Sequence, residues 1–283
     1  MNDFRADLHC HSLSSDGFYS SEALIELALQ KGLKGLSITD HDTVAAYDTA
    51  LSIAQQHEIL LVSGVEFSAM HKTTSVHILA YSFAIDSPLI QDFCAKHKRR
   101  RTQRNRAILE LLAAKGMPLT EEEIQTALPT PSNFKTIGRP HIALAMIKKG
   151  YTTSIQQAFQ QYLGEGKPCY TPGEHFSVEE TLSVIHQAKG FAIIAHPHLM
   201  INQEIMKELL QMNFDGIEGY YARFLLHQQQ RWIKIGLKRG WIITGGSDFH
   251  GEEIKPLNQL GSSWVGEETF KVLYERFQQN QTS

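Results

Sequence analysis

Arg5-Ala6-Asp7-Leu8-His9-Cys10-His11-Ser12 is a short, mostly apolar run that ends in two imidazoles one residue apart. Side chains alternate along a strand, so His9 and His11 share one face while Cys10 takes the other and reads as core. Asp16 follows in Ser14-Ser15-Asp16-Gly17, a turn sequence that can fold a carboxylate back over the pair. The same pattern recurs along the chain. Residues 35–39 read as a strand that runs into Asp40-His41-Asp42, and 59–65 as an apolar, β-branched run that ends in Gly64-Val65-Glu66. Residues 75–82 form another strand, which carries His77; 190–195 lead into His196-Pro197, and 241–245 into Ser247-Asp248-Phe249-His250. Helical patterns lie between them, at 21–31, 43–57, 178–189, 202–212, 223–239 and 267–279. With 216–220 as a further strand, this alternation predicts an α/β fold with mainly parallel strands. About seven strands suit a barrel better than a short open sheet. The acids and histidines fall at the carboxyl edge of these strands, where such folds place their chemistry.

Between residues 86 and 165 the rhythm stops. Helical patterns cover 88–115, 121–127, 141–149 and 155–162, and no strand pattern interrupts them. The simplest account is a helical insertion, 86–175, within a domain built from 1–85 and 176–283. Charge sets it apart, because the insertion has a net charge of +5 and the remainder −8. The excess is densest at Lys96-His97-Lys98-Arg99-Arg100-Arg101-Thr102-Gln103-Arg104-Asn105-Arg106. Such a run is either a solvated helix face or a surface that attracts phosphate. Beside the acid–histidine cluster it reads as an approach surface for a nucleotide or RNA, with part of its charge facing outward.

Composition removes several classes. At 283 residues, 42% hydrophobic and 20% charged, the chain can bury a core and is neither disordered nor fibrous. No apolar run reaches the length of a membrane span. The opening residues lack a basic segment followed by an apolar one, so no secretory signal is expected. Cys10, Cys94 and Cys169 stand far apart without a CxxC, which argues against a disulfide framework and for a cytoplasmic chain. Fourteen histidines are many for this length, and His is a frequent metal ligand.

Nine candidate ligands result: His9, His11, Asp16, His41, Glu66, His77, His196, Asp248 and His250. One ion takes three or four protein ligands, so nine suit two or three divalent ions that share carboxylates. Imidazole and carboxylate without thiolate suit manganese, zinc or ferrous iron. The residue types do not choose firmly among these three. Adjacent ions of this kind generate hydroxide near neutral pH and neutralise phosphate oxygens, which points to phosphoester hydrolysis.

These residues resemble the PHP family, the polymerase and histidinol phosphatase superfamily. The likeness runs in order through Asp7-Leu8-His9-Cys10-His11-Ser12, Thr39-Asp40-His41-Asp42, Gly64-Val65-Glu66, His77, Ala195-His196-Pro197 and Gly246-Ser247-Asp248-Phe249-His250. It implies a distorted (βα)7 barrel with a trinuclear metal site at the strand ends. One ion would take His9, His11, Glu66 and Asp248. A second would share Glu66 and add His77 and His196, and a third would take Asp16, His41 and His250. Within the family, Ile137-Gly138-Arg139-Pro140-His141-Ile142-Ala143 and Tyr162-Leu163-Gly164-Glu165-Gly166-Lys167-Pro168-Cys169-Tyr170 resemble the bacterial 3',5'-nucleoside bisphosphate phosphatases, including the RNase AM exoribonucleases. There the insertion forms a helical cap over the barrel mouth, and Arg139 and Lys167 would hold a substrate phosphate. The implied activities are removal of the 3'-phosphate from nucleoside 3',5'-bisphosphates and 5'-to-3' trimming of short RNA. Neither sequence-specific DNA binding nor membrane association is expected.

The rival readings are a histidinol-phosphate phosphatase, a non-catalytic PHP module stabilised by metal, and a nucleic-acid-binding protein with structural metals. A basic insertion favours polyanions over an amino alcohol, and structural zinc sites are usually thiolate-rich. Asp40 and Asp42 flank His41 as candidates to hydrogen-bond a ligand imidazole or the water on the phosphate side, and neither is among the nine ligands. His198 reads as a loop or supporting residue, and His175 as a loop residue or a substrate contact. Tyr170 reads as a packed aromatic or a base-stacking one, and His141 as packing at a helix start.

Overall fold

The computed structural model describes residues 4–128, 137–252 and 254–282. The readings of residues 1–3 and of 129–136, in the middle of the insertion, lie outside the described residues. In chain order the elements are β1 (Ala6–Cys10), α1 (Ser21–Gln30), β2 (Gly35–Ile38), α2 (Tyr47–Gln56), β3 (Leu60–Leu61), β4 (Gly64–His71), β5 (Thr74–Tyr81), α3 (Pro88–Ala114), α4 (Glu121–Thr126), α5 (Arg139–Lys148), α6 (Ile155–Ala158), α7 (Val178–Gln187), β6 (Phe191–Ile194), α8 (Gln203–Leu209), β7 (Gly216–Tyr221), α9 (Leu226–Arg239), β8 (Ile242–Gly246) and α10 (Glu267–Gln281). Local chemistry sets the helix ends. Side-chain oxygens of Ser20, Ser177 and Asn202 accept from first-turn amides of α1, α7 and α8. Gly240, at φ +66, closes α9 after Lys238 and Arg239. Strands β1 and β2 are buried along their whole length, as parallel strands covered on both faces are.

The α/β alternation holds, but the sheet departs from the expectation. The ladders form a three-stranded sheet, β1-β2-β3, and a five-stranded one, β4-β5-β6-β7-β8, so the ladders alone do not make the expected (βα)7 barrel. Strands β4 and β5 make an antiparallel hairpin, and β5 also pairs antiparallel with β6. The run 59–65 is two pieces, because β3 pairs with β2 while the chain from Gly64 pairs with β5. Ser63 makes the break. Its hydroxyl donates to the Phe83 carbonyl at 2.7 Å and its carbonyl accepts from Ser82 N at 3.0 Å, which ties it to the chain after β5. Helix α2 starts at Tyr47 rather than at 43, after Asp42 turns the chain with φ +59. The helical pattern at 155–162 ends as an α-helix at Ala158 and widens into a π-turn, Phe159–Leu163.

Two seams join the sheets. At one, Asp42 N donates to Glu66 O (3.0 Å) and Glu66 N to Asp40 O (3.2 Å). At the other, Asp248 N donates to His9 O (2.7 Å) and His11 N to Phe249 O (2.8 Å). The second seam requires Gly246, since a Cβ there would lie 2.4 Å from both Cβ and N of His9. The main core packs α1, α2 and α7 against the sheets, and a smaller cluster around Leu8, Tyr81, Ile193, Phe270 and Leu273 seats α10. The helices of the insertion share a separate cluster that includes Ile108, Leu112, Ile142, Met146 and Leu163. Among the described residues no helix is long and apolar enough to cross a membrane.

Candidate metal centre

The two seams bring all nine predicted residues to one place. Glu66 sits at the centre. Its Oε2 lies 3.3 Å from His9 Nε2, 3.3 Å from His11 Nε2 and 3.2 Å from His41 Nδ1. Its Oε1 lies 2.9 Å from His77 Nδ1 and 2.8 Å from His196 Nε2. Asp248 Oδ1 stands 3.3 to 3.5 Å from His9, His11 and His250. The turn after β1 brings Asp16 within 3.4 Å of His250 and 3.7 Å of His11. Three groups of potential ligand atoms each fit within 4.8 Å: His9–His11–Glu66–Asp248, His11–Asp16–His41–His250, and His41–Glu66–His77. The first matches the expected set. The others differ in that His11 reaches two groups, as does His41, while His196 sits beside Glu66 and 3.2 Å from His77.

These residues fit divalent cations on a structural criterion. His9 Nε2, both His11 ring nitrogens, His41 Nδ1 and Asp248 Oδ1 are buried without a hydrogen-bond partner among the described residues. Unpaired buried polar atoms are costly, and here they converge. Neighbouring residues fix their direction. His9 Nδ1 pairs with Glu218 Oε1 at 2.9 Å, which leaves Nε2 facing the centre. Tyr221 and Lys255 donate to Asp248 Oδ2 at 2.6 and 2.5 Å, which turns Oδ1 inward. At His9 and His11 the local field favours positive charge, whereas burial holds His41 and His250 below the usual imidazole range. Burial alone would lower the His9 pKa, yet Glu218, Glu66 and Asp248 hold it well above the usual imidazole range. His11 is likewise raised to about 9, against burial, by Asp248 and Glu66. Burial would raise Glu66, but His41, His77 and His9 hold it well below the carboxylate range.

Above this floor lies a cleft of about 490 Å³ lined by Asp16, His41, His77 and His250 on one side and by Arg100, Arg101, Arg104, Arg139, Arg223 and Lys255 on others. The basic run of α3 splits cleanly. His97, Arg100, Arg101 and Arg104 are buried, whereas Lys96, Lys98, Arg99 and Arg106 are exposed. The inward set has the spacing of one helix face, and that was the signal in the sequence that singles these arginines out. Asp42 organises them. Its carboxylate pairs with Arg101 at 2.5 Å, Arg100 at 3.4 Å and His97 at 3.1 Å, and accepts from Ser68 N at 2.7 Å. Burial would raise its pKa, but Arg101 and His97 hold it well below the usual range. Among the described residues no carboxylate forms an ion pair with Arg104, and burial together with Arg101, Arg139 and Arg100 lowers its pKa strongly. The wall therefore carries more positive charge than its own acids neutralise.

The remaining expectations sort as follows. Arg139 lines the cleft, with its guanidinium 5.3 Å from the Tyr170 ring and 5.6 Å from Phe159. Lys167 and His175 are exposed and are not among the cleft's lining residues. Asp40 and Asp42 do not hydrogen-bond ligand imidazoles. Asp40 accepts from Ser12 and Ser15 and so holds the turn that carries Asp16. Asp42 serves the arginines instead. His198 stacks on Tyr221 and Phe224. His141 Nδ1 accepts from Gly138 N at 3.0 Å and caps α5. Cys10 is fully buried in the core. Sequence reasoning missed Glu218, which lies inside the buried strand β7 with no motif around it.

A family model for the PHP domain matches residues 7–222. A 5'-3' exoribonuclease, Rnm, from Salmonella typhimurium is 32% identical over 252 residues, which cover 86% of this chain and 84% of the relative. A 3',5'-nucleoside bisphosphate phosphatase from Chromobacterium violaceum is 28% identical over 249 residues, 86% of each chain. Among solved structures, a Bifidobacterium adolescentis protein assigned as a metal-dependent phosphoesterase superposes with a TM-score of 0.85 at 29% identity, over 96% of both chains.

Proposed function

The chain belongs to the PHP domain family, and from that premise we propose that it is a metal-dependent phosphoesterase that removes the 3'-phosphate of nucleoside 3',5'-bisphosphates and trims 5'-phosphorylated short RNA from its 5' end. The observation that carries this is one cleft with a cation-seeking floor and an arginine wall. Such a cleft suits a substrate with two phosphates, one for each surface. Relatives named as a bisphosphate phosphatase and as an exoribonuclease support the same chemistry.

In this reading His9, His11, Asp16, His41, Glu66, His77, His196, Asp248 and His250 hold two or three divalent ions, manganese first and zinc or ferrous iron next. Bound there, the ions supply water activated near neutral pH and neutralise the oxygens of the phosphate under attack. Glu218, Tyr221 and Lys255 keep the ligand atoms aimed. Arg139, with Arg100, Arg101 and Arg104, holds the second phosphate, since guanidinium forks make paired hydrogen bonds to phosphate oxygens. Tyr170 and Phe159 support Arg139 from below. Residues 86–175 act as a cap that delivers this wall, and 1–85 with 176–283 as the metal-binding body. The reading places the protein in the cytoplasm, where its three buried cysteines remain thiols.

The test is phosphate release by manganese-loaded protein from 3'-phosphoadenosine 5'-phosphate, with histidinol phosphate and a 5'-phosphorylated short RNA in parallel. Release from the bisphosphate is the expected outcome. Turnover of histidinol phosphate alone would keep the centre and discard the substrate. No turnover of any of the three with metal bound would discard the catalytic reading.

A further inference from the structure

A second groove of about 360 Å³ opens on the other side of His77. Ser75 and His77 line both this groove and the arginine cleft, and His196 lines the groove. The side chains of His77 and His196 remain 27% and 17% exposed, so the corner they form with Glu66 is reachable from this side. The two cavities differ in charge. Five arginines and a lysine line the cleft. Among the described residues the groove is lined by neither, and the one carboxylate on it is Glu165. Its wall is Leu199, Met200 and Ile201, of which Leu199 is 42% and Ile201 93% exposed. A phosphate seated at the Glu66–His77–His196 corner therefore has an anion-binding surface on one side and a largely apolar one without cationic side chains on the other.

We propose that this groove binds the nucleoside esterified to the far side of the phosphate under attack, which is the second nucleotide of a 5'-phosphorylated RNA. The inference rests on the phosphoesterase reading above and assigns the unassigned half of the site. A nucleoside bisphosphate fills the cleft alone, and a dinucleotide fills cleft and groove together. The bond broken is the same in both. Water adds to phosphorus, the P–O3' bond breaks, O3' stays on the first nucleotide and takes a proton, and the phosphate stays on O5' of the second. The second base lies against Ile201 and Met200, a contact indifferent to base identity because every base presents an apolar face. Glu165 disfavours any anion at that position, which leaves the neutral base as the group the wall accepts.

Three substrates and one variant test this. Metal-loaded protein is assayed on 3'-phosphoadenosine 5'-phosphate, on 5'-phosphorylated adenylyl-adenosine, and on that dinucleotide without its second base. Loss of the second base should lower kcat/KM about tenfold, the size of one base contact. Ile201→Asp should lower the ratio of dinucleotide to bisphosphate kcat/KM by a similar factor. Calorimetric binding of an unreactive dinucleotide, with methylene in place of the bridging O3', should weaken to the same extent in Ile201→Asp. Bisphosphate turnover with equal rates for the intact and base-free dinucleotides, or with a ratio that Ile201→Asp does not move, would overturn the groove and leave the function standing. Turnover of neither bisphosphate nor dinucleotide would overturn both.

Discussion

The floor and the wall of the cleft are built in opposite ways. The floor draws its ligand atoms from the ends of β1, β2, β6 and β8 and from β4 and β5 themselves, and backbone hydrogen bonds across two seams fix its geometry. The wall draws three of its arginines from one face of α3, and a single carboxylate, Asp42, orders two of them. The floor is redundant in support but intolerant of a lost ligand. The wall has one anchor and tolerates graded change. This difference predicts which substitutions abolish turnover and which only weaken substrate binding.

The largest effect should come from Glu66→Gln. It removes the charge that faces five imidazoles, so metal content by atomic absorption and turnover should fall together, with kcat down by about 10³-fold or more. Full turnover in this variant would break the floor half of the comparison. Glu218→Gln touches the orientation of His9 and the hydrogen bond from His196 N, and should weaken metal affinity by about 10- to 100-fold while saturating metal restores most of the rate. Asp42→Asn strikes the wall's anchor. The KM for a bisphosphate should rise about 30-fold with metal content kept, since two guanidinium contacts lose their alignment. The melting temperature should fall as well, because buried arginines left without their carboxylate cost about 3 kcal/mol. A loss of metal in Asp42→Asn would mean that wall and floor are not separable. The smallest pair sharpens the wall itself. Arg139→Ala should raise KM about tenfold and Lys167→Ala less than about twofold, the size of one charged contact against none. Equal effects would return Lys167 to the phosphate site.

The same contrast explains what could be read from the chain beforehand. Every floor residue but Asp16, which a turn carries, stands within a strand or just past the end of one, so the gathering of these positions was legible without knowing how the strands pair. The partition among groups was not, because it depends on the ring angles of His11 and His41, which no spacing encodes. The hairpin of β4 and β5 was hidden because buried strands of either direction carry the same apolar pattern. The wall was half legible. Charge density marked α3, and the spacing of His97, Arg100, Arg101 and Arg104 separates the inward arginines from the solvated ones. Asp42 carries its carboxylate to Arg100, Arg101 and His97, partners that its place beside His41 in the sequence does not suggest. Its positive φ turns the carboxylate toward α3 instead.

The seam between His9–His11 and Asp248–Phe249 also bears on how the protein comes into being. Contacts between residues this distant in sequence form slowly, because the intervening chain must be ordered before they can close. During synthesis, a ribosome-bound chain that has released β1 through β7 still lacks Asp248 and His250, and so two of the three ligand groups stand open. The cation site is thus among the last features to be completed. The two groups that need Asp248 and His250 therefore come together only once the end of β8 has docked on β1, so their assembly coincides with the joining of the chain's far end to its near end.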